Sequence, residues 1–337
     1  MTNSQLTLRE ISTLAEEALI ASGASAGAAS SLAAAITAAE RDGIRSHGLI
    51  YVPIYCEHLT CGKVNAVAEP AVLSQEGSAI VVDADCGFAH PAIDIGFNEL
   101  RPLAKSLGCA VLTIRNSYNC GVLGYHVERL AKDGLVAIGF TNAPASIAPA
   151  GGQKPVVGTN PVALAVPSDS GGVAFVLDQS ASVVAKSEIM ARSREGRAIP
   201  EGWALDADGQ PTTDPEQALK GSMAPSGGYK GFGIGLLVEV MAAALSGATL
   251  GIHASPFSGA EGGPPKTGQC FLALSPDVFS SDTFADRIQA LTQAIATQGE
   301  ARLPGSRRLA HRQRSDSEGV SVDQSLIDRI QSITDNE

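Results

Sequence analysis

Ser46-His47-Gly48 sits where a helical pattern gives way to an apolar run, in the stretch RDGIRSHGLIYVPIY (41–55). Histidine changes charge near neutral pH and can hand a proton to a developing anion; a serine hydroxyl beside it can relay or orient that proton. Gly48 admits close approach by backbone or substrate. The plainer alternative is that His47 hydrogen-bonds the last carbonyls of the preceding helix. Asp178 ends the otherwise apolar run in FVLDQSASVVA. A carboxylate at the carboxyl end of a buried strand can face a ligand, or fix a histidine's tautomer as in a catalytic triad. It can equally cap a helix that begins at Ser180.

Three glycine-rich turns could each cradle a phosphate or simply turn the chain: NSYNCGVLGYH (116–126), APAGGQKPVVGTNP (148–161) and APSGGYKGFGIG (224–235), the last with Lys230 at a helix start. None fits the dinucleotide or P-loop fingerprint. The six histidines have no ligand spacing and no carboxylate cluster, so no metal is expected. No Gly-x-Ser-x-Gly supports a serine hydrolase. Arg307, Arg308, Arg312 and Arg314 form either a solvated face or a site for a cofactor phosphate.

Positioning these groups requires a scaffold that the periodicities outline. Thr7-Leu8-Arg9-Glu10 reads as a capping box opening a helix, and an alanine-rich helix runs from about Ser25 to Arg41. Short β-branched runs follow at 78–85, 109–116, 135–142, 161–168 and 173–180, the first three separated by helical stretches. That alternation predicts an α/β layer. FGIGLLVEVMAAALSGA (232–248) predicts a long buried helix and CFLALSP (270–276) another strand. A helix is expected over 284–298 and another near 322–333, with a basic segment RLPGSRRLAHRQR between them. The glycine-rich stretch 255–269 predicts a surface loop.

With 337 residues and 44% hydrophobic composition, the chain can bury a large core in one or two domains. Its 24 basic residues against 35 acidic ones argue against nucleic acid as a partner. The six cysteines lack paired spacing and read as free thiols of a reducing compartment. No apolar run is long enough to cross a membrane and the N-terminus lacks a signal-peptide pattern, so a soluble, cytoplasmic protein is expected.

Eight stretches, in order, resemble the malate/L-lactate dehydrogenase family of the non-Rossmann type: SHGLIYVPIY, NSYNCGVLGYH, GFTNAPASIAPAGG, GTNPVALAVP, DQSASVVA, IPEGWALDADGQPTTDP, GGYKGFGIGLLVEV and RLPGSRR. That family includes ureidoglycolate and sulfolactate dehydrogenases and reductases of delta-1-piperideine-2-carboxylate and delta-1-pyrroline-2-carboxylate. The resemblance implies a homodimer and a non-Rossmann nicotinamide-binding α/β domain over 76–284. It also implies a helical part over 1–75 that about 285–337 completes. It implies His47 as proton donor, Ser46 as its relay neighbour and Asp178 as the residue that orients them. Cofactor contacts are implied for Asn119, Cys120, Gly121, Val122, Leu123, Gly124, Lys230, Pro304, Gly305 and Ser306.

Two positions depart from the family pattern. An arginine suited to clamping a substrate carboxylate often stands four residues after the histidine; here that position is Tyr51, while Arg45 precedes the serine. Arg45 and Tyr51 are therefore the candidate substrate residues. Asn119 stands where the family often has a histidine. The expected activity is hydride transfer between NADPH or NADH and a small carboxylate substrate. The Arg307-Arg308 pair leans toward NADPH. The segments GFAHPAIDIGF and RLPGSRR resemble the imine reductases, so a cyclic imino acid leads over a 2-oxo acid. A cofactor-binding dimer without turnover is the alternative from another class.

Overall fold

The computed structural model describes residues 3–169, 171–280 and 282–335. After a short strand β1 (Asn3–Leu6), Thr7 starts helix α1 (Leu8–Ala21) through a reciprocal cap. The Thr7 hydroxyl accepts the Glu10 N–H at 3.2 Å, and the Glu10 carboxylate accepts the Thr7 N–H at 2.7 Å. Helix α2 (Ala26–Arg41), capped by the Ser25 side chain, packs on α1; Ile11, Leu19, Leu32 and Ile36 belong to one buried cluster. Two 3-10 turns, Arg45–His47 and Leu49–Tyr51, lead into α3 (Val52–Thr60).

The chain then runs through β2 (Ala71–Glu76), β3 (Ala79–Asp83), α4 (Ala89–Leu107), β4 (Cys109–Ser117), α5 (Leu123–Lys132), β5 (Val136–Thr141), β6 (Val162–Ser168) and β7 (Gly172–Gln179). An excursion holds α6 (Lys186–Arg194), β8 (Ala204–Leu205), β9 (Pro211–Thr212), α7 (Pro215–Lys220), β10 (Ser222–Met223) and α8 (Tyr229–Glu239), which continues into a π-turn, Val240–Ala244. Then come β11 (Thr267–Leu274), α9 (Pro276–Ser280), α10 (Thr283–Ala296), α11 (Ser306–Glu318), β12 (Val320–Asp323) and α12 (Gln324–Thr334).

Seven strands form one sheet in the order β2-β3-β4-β11-β5-β6-β7. Among the described residues β3 and β4 run parallel and the other neighbouring pairs antiparallel. Helices α4 and α5 cover one face, burying Phe97, Leu100, Ile114, Leu123 and Phe271. On the other face, Val238 and Ala242 of α8 and its π-turn meet Phe140 and Cys270. All six strands expected from apolar runs lie in this sheet. The added edge strand β2 is exposed along its whole length, and its AVLSQE shows no alternation of buried and exposed residues to mark it as a strand.

The stretch 232–248, expected as a long buried helix, is corrected: α8 is shorter, and Leu236, Leu237 and Val240 are about half exposed. It is apolar on all sides, so seating one face on the sheet leaves the opposite face uncovered. The basic segment RLPGSRRLAHRQR runs into a helix not expected there from the sequence, α11 from Ser306. At the end, β12 pairs with β1 from Asn3↔Asp323 to Leu6↔Val320, and Val320, Val322, Ile327 and Ile330 join the buried cluster of α1 and α3. No helix among the described residues is long and apolar enough to cross a membrane.

Candidate active site

Asp42 closes α2, and Gly43 at φ +75° turns the chain toward Ser46 and His47. A Cβ on Gly43 would lie 2.9 Å from the His311 ring of α11, so both its φ and its space require glycine. Gly48 is also required, though not for a substrate: the buried Glu40 carboxylate fills the place of a Cβ there. Glu40 accepts the Leu49 N–H at 2.7 Å and so pins the turn that carries His47. Burial raises the Glu40 carboxyl pKa, and the Leu49 amide opposes that rise.

His47 makes no bond back to the end of α2. Its Nδ1 lies 3.0 Å from Ser46 Oγ, and its ring stacks on Tyr51 with centroids 6.0 Å apart and planes at 7°. Tyr51 in turn meets the buried Tyr55 at 5.2 Å, whose hydroxyl donates to Asn119 Oδ1 at 3.3 Å. Burial lowers the His47 pKa below its ordinary value; nearby Asp178 pulls it up and Arg308 pushes it further down.

Asp178 lies near the carboxyl end of β7, and its hydrogen bonds do not go to His47. Its Oδ2 accepts the Gly124 N–H at 2.8 Å and pairs with Arg308 Nη2 at 3.3 Å. The carboxylate thus caps α5 across space, not the segment beginning at Ser180. Its other oxygen has no protein partner among the described residues. At the start of α5, the anion beside the Gly124 amide is the protein's own carboxylate, so that amide is not open to a phosphate.

In the 119–124 turn, Asn119 Oδ1 accepts the Gly121 N–H at 3.1 Å, and Gly121 has φ +64°. The Cys120 and Leu123 side chains are buried in the core under α4 and α5, so only their backbones could meet a cofactor. Burial pushes the Cys120 thiol up to about 12. Val122 and Gly124 complete the turn, Gly124 lying beneath Asp178 and Arg308.

Pro304, Gly305 and Ser306 pass over β7. Gly305 has φ +83°, and a Cβ on it would stand 3.0 Å from the Val176 carbonyl. Lys230 is exposed near the start of α8 and lines a cavity of about 450 Å³ with Gln179, Ser180, Ser182, Ser226 and Ile234. Arg45, one residue before Ser46, donates from its guanidinium to the Ser321 carbonyl of β12 at 3.3 Å.

The structure therefore brings Ser46, His47, Tyr51, Asp178, Gly124 and Gly305 to one place, with the Lys230 cavity beginning next to Asp178. Sequence reasoning overlooked Glu40 and Tyr55 and left Arg308 as part of either a solvated face or a cofactor-phosphate site. The spacing of His47, Tyr51 and Tyr55, four residues apart at each step, is the signal that exposes the aromatic ladder.

Residues 6–331 match the malate/L-lactate dehydrogenase family model. A (2R)-3-sulfolactate dehydrogenase (NADP(+)) of Chromohalobacter salexigens is 45% identical over 96% of this chain and 96% of its own. Delta(1)-pyrroline-2-carboxylate reductase 1 of Burkholderia ambifaria is 37% identical over 98% and 97%. The crystal structure of delta1-piperideine-2-carboxylate reductase from Pseudomonas syringae superposes with TM-score 0.93 at 34% identity, over 98% of this chain and 99% of that one. The chain belongs to the malate/L-lactate dehydrogenase family and is an oxidoreductase that works with a nicotinamide cofactor.

Proposed function

We propose that the enzyme reduces a cyclic imino acid, delta-1-pyrroline-2-carboxylate or delta-1-piperideine-2-carboxylate, to L-proline or L-pipecolate, with NADPH favoured over NADH. The observation that carries this reading is the Ser46–His47 pair standing beside the flat Tyr51 ring, within electrostatic reach of Asp178. A neutral aromatic wall suits a small ring with a single carboxylate; a second anionic group would need a cation where Tyr51 stands. Relatives named for pyrroline-2-carboxylate reduction support it, and the 45% identical relative carries NADP(+) in its name. That same relative favours a second reading, a 2-hydroxy acid dehydrogenase, in which an oxo acid replaces the imine.

The cavity beside Lys230 fits the phosphate-bearing part of a dinucleotide, offering a cation and the hydroxyls of Ser180, Ser182 and Ser226 beside apolar Ile234. Lys230, the 119–124 turn and Pro304–Ser306 would hold the cofactor, which when bound supplies the hydride. His47 acts as an imidazolium: Nδ1–H donates to Ser46 Oγ and Nε2–H gives its proton to the substrate nitrogen as C=N becomes CH–NH. Asp178 favours the charged ring through space.

Two copies would associate through the uncovered apolar side of α8, giving a homodimer in the cytoplasm. Within each copy, residues 1–75 with about 285–337 act as one helical unit against the 76–284 α/β unit. Leu237→Glu is expected to yield a monomer by light scattering; a dimer in that variant would place the interface elsewhere.

The test is loss of NAD(P)H absorbance with both cyclic imino acids, pyruvate and sulfopyruvate side by side. Turnover of the imines alone sustains the reading, and turnover of the oxo acids alone replaces it with the second. His47→Gln is expected to lower kcat by about 10²–10⁴-fold while cofactor still binds. Unchanged turnover would remove His47 from the proton transfer.

A further inference from the structure

We infer that Arg308 of α11 is the residue that binds the substrate's carboxylate, taking over the task of the arginine that Tyr51 displaces. The inference rests on the proposed reading only in that the substrate is a 2-oxo or 2-imino acid. Arg308 is the cation that the fold brings to His47. Its Nη2 is 3.3 Å from Asp178 Oδ2, and its Nη1 lies 2.6 Å from where a Cβ of Gly124 would stand. The guanidinium thus rests in space that the glycine leaves open, between the Asp178 carboxylate and the start of α5.

Its hydrogen-bonding capacity is largely unspent. A guanidinium carries five N–H donors in a rigid fork, and among the described residues Arg308 makes one hydrogen bond, to Asp178 at 3.3 Å. The remaining edge can meet a carboxylate with two parallel bonds, the geometry that makes arginine differ from lysine. The other cations near the turn point elsewhere. Arg45 is turned to Ser321, and Lys230 lines the separate cavity beyond Gln179.

The fork is also held in place from behind. Arg312, one helical turn further on, bonds both Asp42 and Glu128 bidentately at 2.6–2.9 Å. Those bonds fix α11 against α2 and α5, so Arg308 approaches the site from a pinned helix and loses less freedom on binding. The charges are consistent with a monoanionic ligand. Arg308 and Asp178 cancel, and a bound carboxylate is then balanced by the proton that His47 carries for the reaction.

The experiment compares wild type, Arg308→Lys and Arg308→Gln as full-length, NADP(+)-loaded protein. It reads the affinity of two flat carboxylates by calorimetry: pyrrole-2-carboxylate for the imine case and oxamate for the oxo acid case. Pyrrole-2-carboxamide serves as the uncharged control. Wild type is expected to bind one of the carboxylates and not the amide. Arg308→Gln should weaken that binding by about 30-fold or more, Arg308→Lys by less, with NADP(+) affinity unchanged.

Where a substrate is turned over, the same variants should raise KM more than they lower kcat. Equal carboxylate affinity in wild type and Arg308→Gln overturns the inference, as does a failure of both carboxylates to bind wild type. If Arg308→Gln does not fold, Arg308→Lys decides: affinity equal to wild type overturns the bidentate clamp. The identity of the probe that binds reports separately on the imine or oxo acid reading.

Discussion

His47 can act as a proton donor only while charged, and its surroundings work against that charge. Burial lowers its pKa first, Asp178 restores part of the loss, and Arg308 lowers it again. In the reductive direction kcat/KM should therefore fall as pH rises through a pKa below the ordinary 6.5. Oxidation of the product, with His47 as base, should rise through that same pKa. Removing the neighbouring cation (Arg308→Gln) should move the limb to higher pH, and Asp178→Asn should move it lower. A pH–rate profile between about pH 5 and 8 checks both signs. Residue type marked Ser46 and His47 as candidates but left a helix-cap reading open, and their proposed roles came from the family resemblance. Their setting was not legible, because Glu40, Asp178 and Arg308 reach it from three separate elements, and tertiary contacts of that range leave no local spacing to read.

At the scale of elements, α4 and α5 carry a liability under the 119–124 turn. His90 and His126 are buried with ring centroids 5.3 Å apart; His126 Nε2 donates to the Cys120 carbonyl, whereas neither His90 nitrogen has a partner among the described residues. Burial lowers the His90 pKa from 6.5 to about 4 and that of His126 well below its ordinary value. Between those values the unfolded chain binds protons that the folded one refuses. Stability is thus complete above pH 6.5 and declines as pH falls toward 4, by about 3 kcal/mol for His90 alone. Urea unfolding at several pH values should show this loss, and His90→Leu should flatten it while remaining folded at neutral pH. Six of the seven sheet strands, and the helices α1, α2, α4, α5, α10 and α12, were readable from their apolar patterns, whereas α6, α7, α9 and α11 were not; α11, for one, buries no residue that would mark an apolar face. α8 was misread as buried because a sequence apolar on every side says that something covers it, not what.

For the whole molecule, Arg312 is the tie between its parts. It joins Asp42 at the end of α2 to Glu128 of α5. Burial alone would raise the Glu128 carboxyl, yet Arg312, with Lys132, holds it at about 2. Arg312→Met should leave two carboxylates facing one another and cost about 3 kcal/mol. Because Asp42 leads directly into the His47 turn, kcat should fall as well; a stability loss without any change in kcat would separate the tie from the site. The overall architecture followed from the resemblance, but not this joint, whose three residues are spread from 42 to 312. The pairing of β1 with β12 has its own consequence, in time rather than space. Residues 3–6 must wait for 320–323 before they find a partner, and Asp178 must wait for Arg308. During synthesis the α/β sheet can close through β11 while His47 still lacks its surroundings, so the proposed site is the last part of the fold to be assembled. A chain cut after residue 300 would hold every strand of the sheet and lack the residues that complete the proposed site.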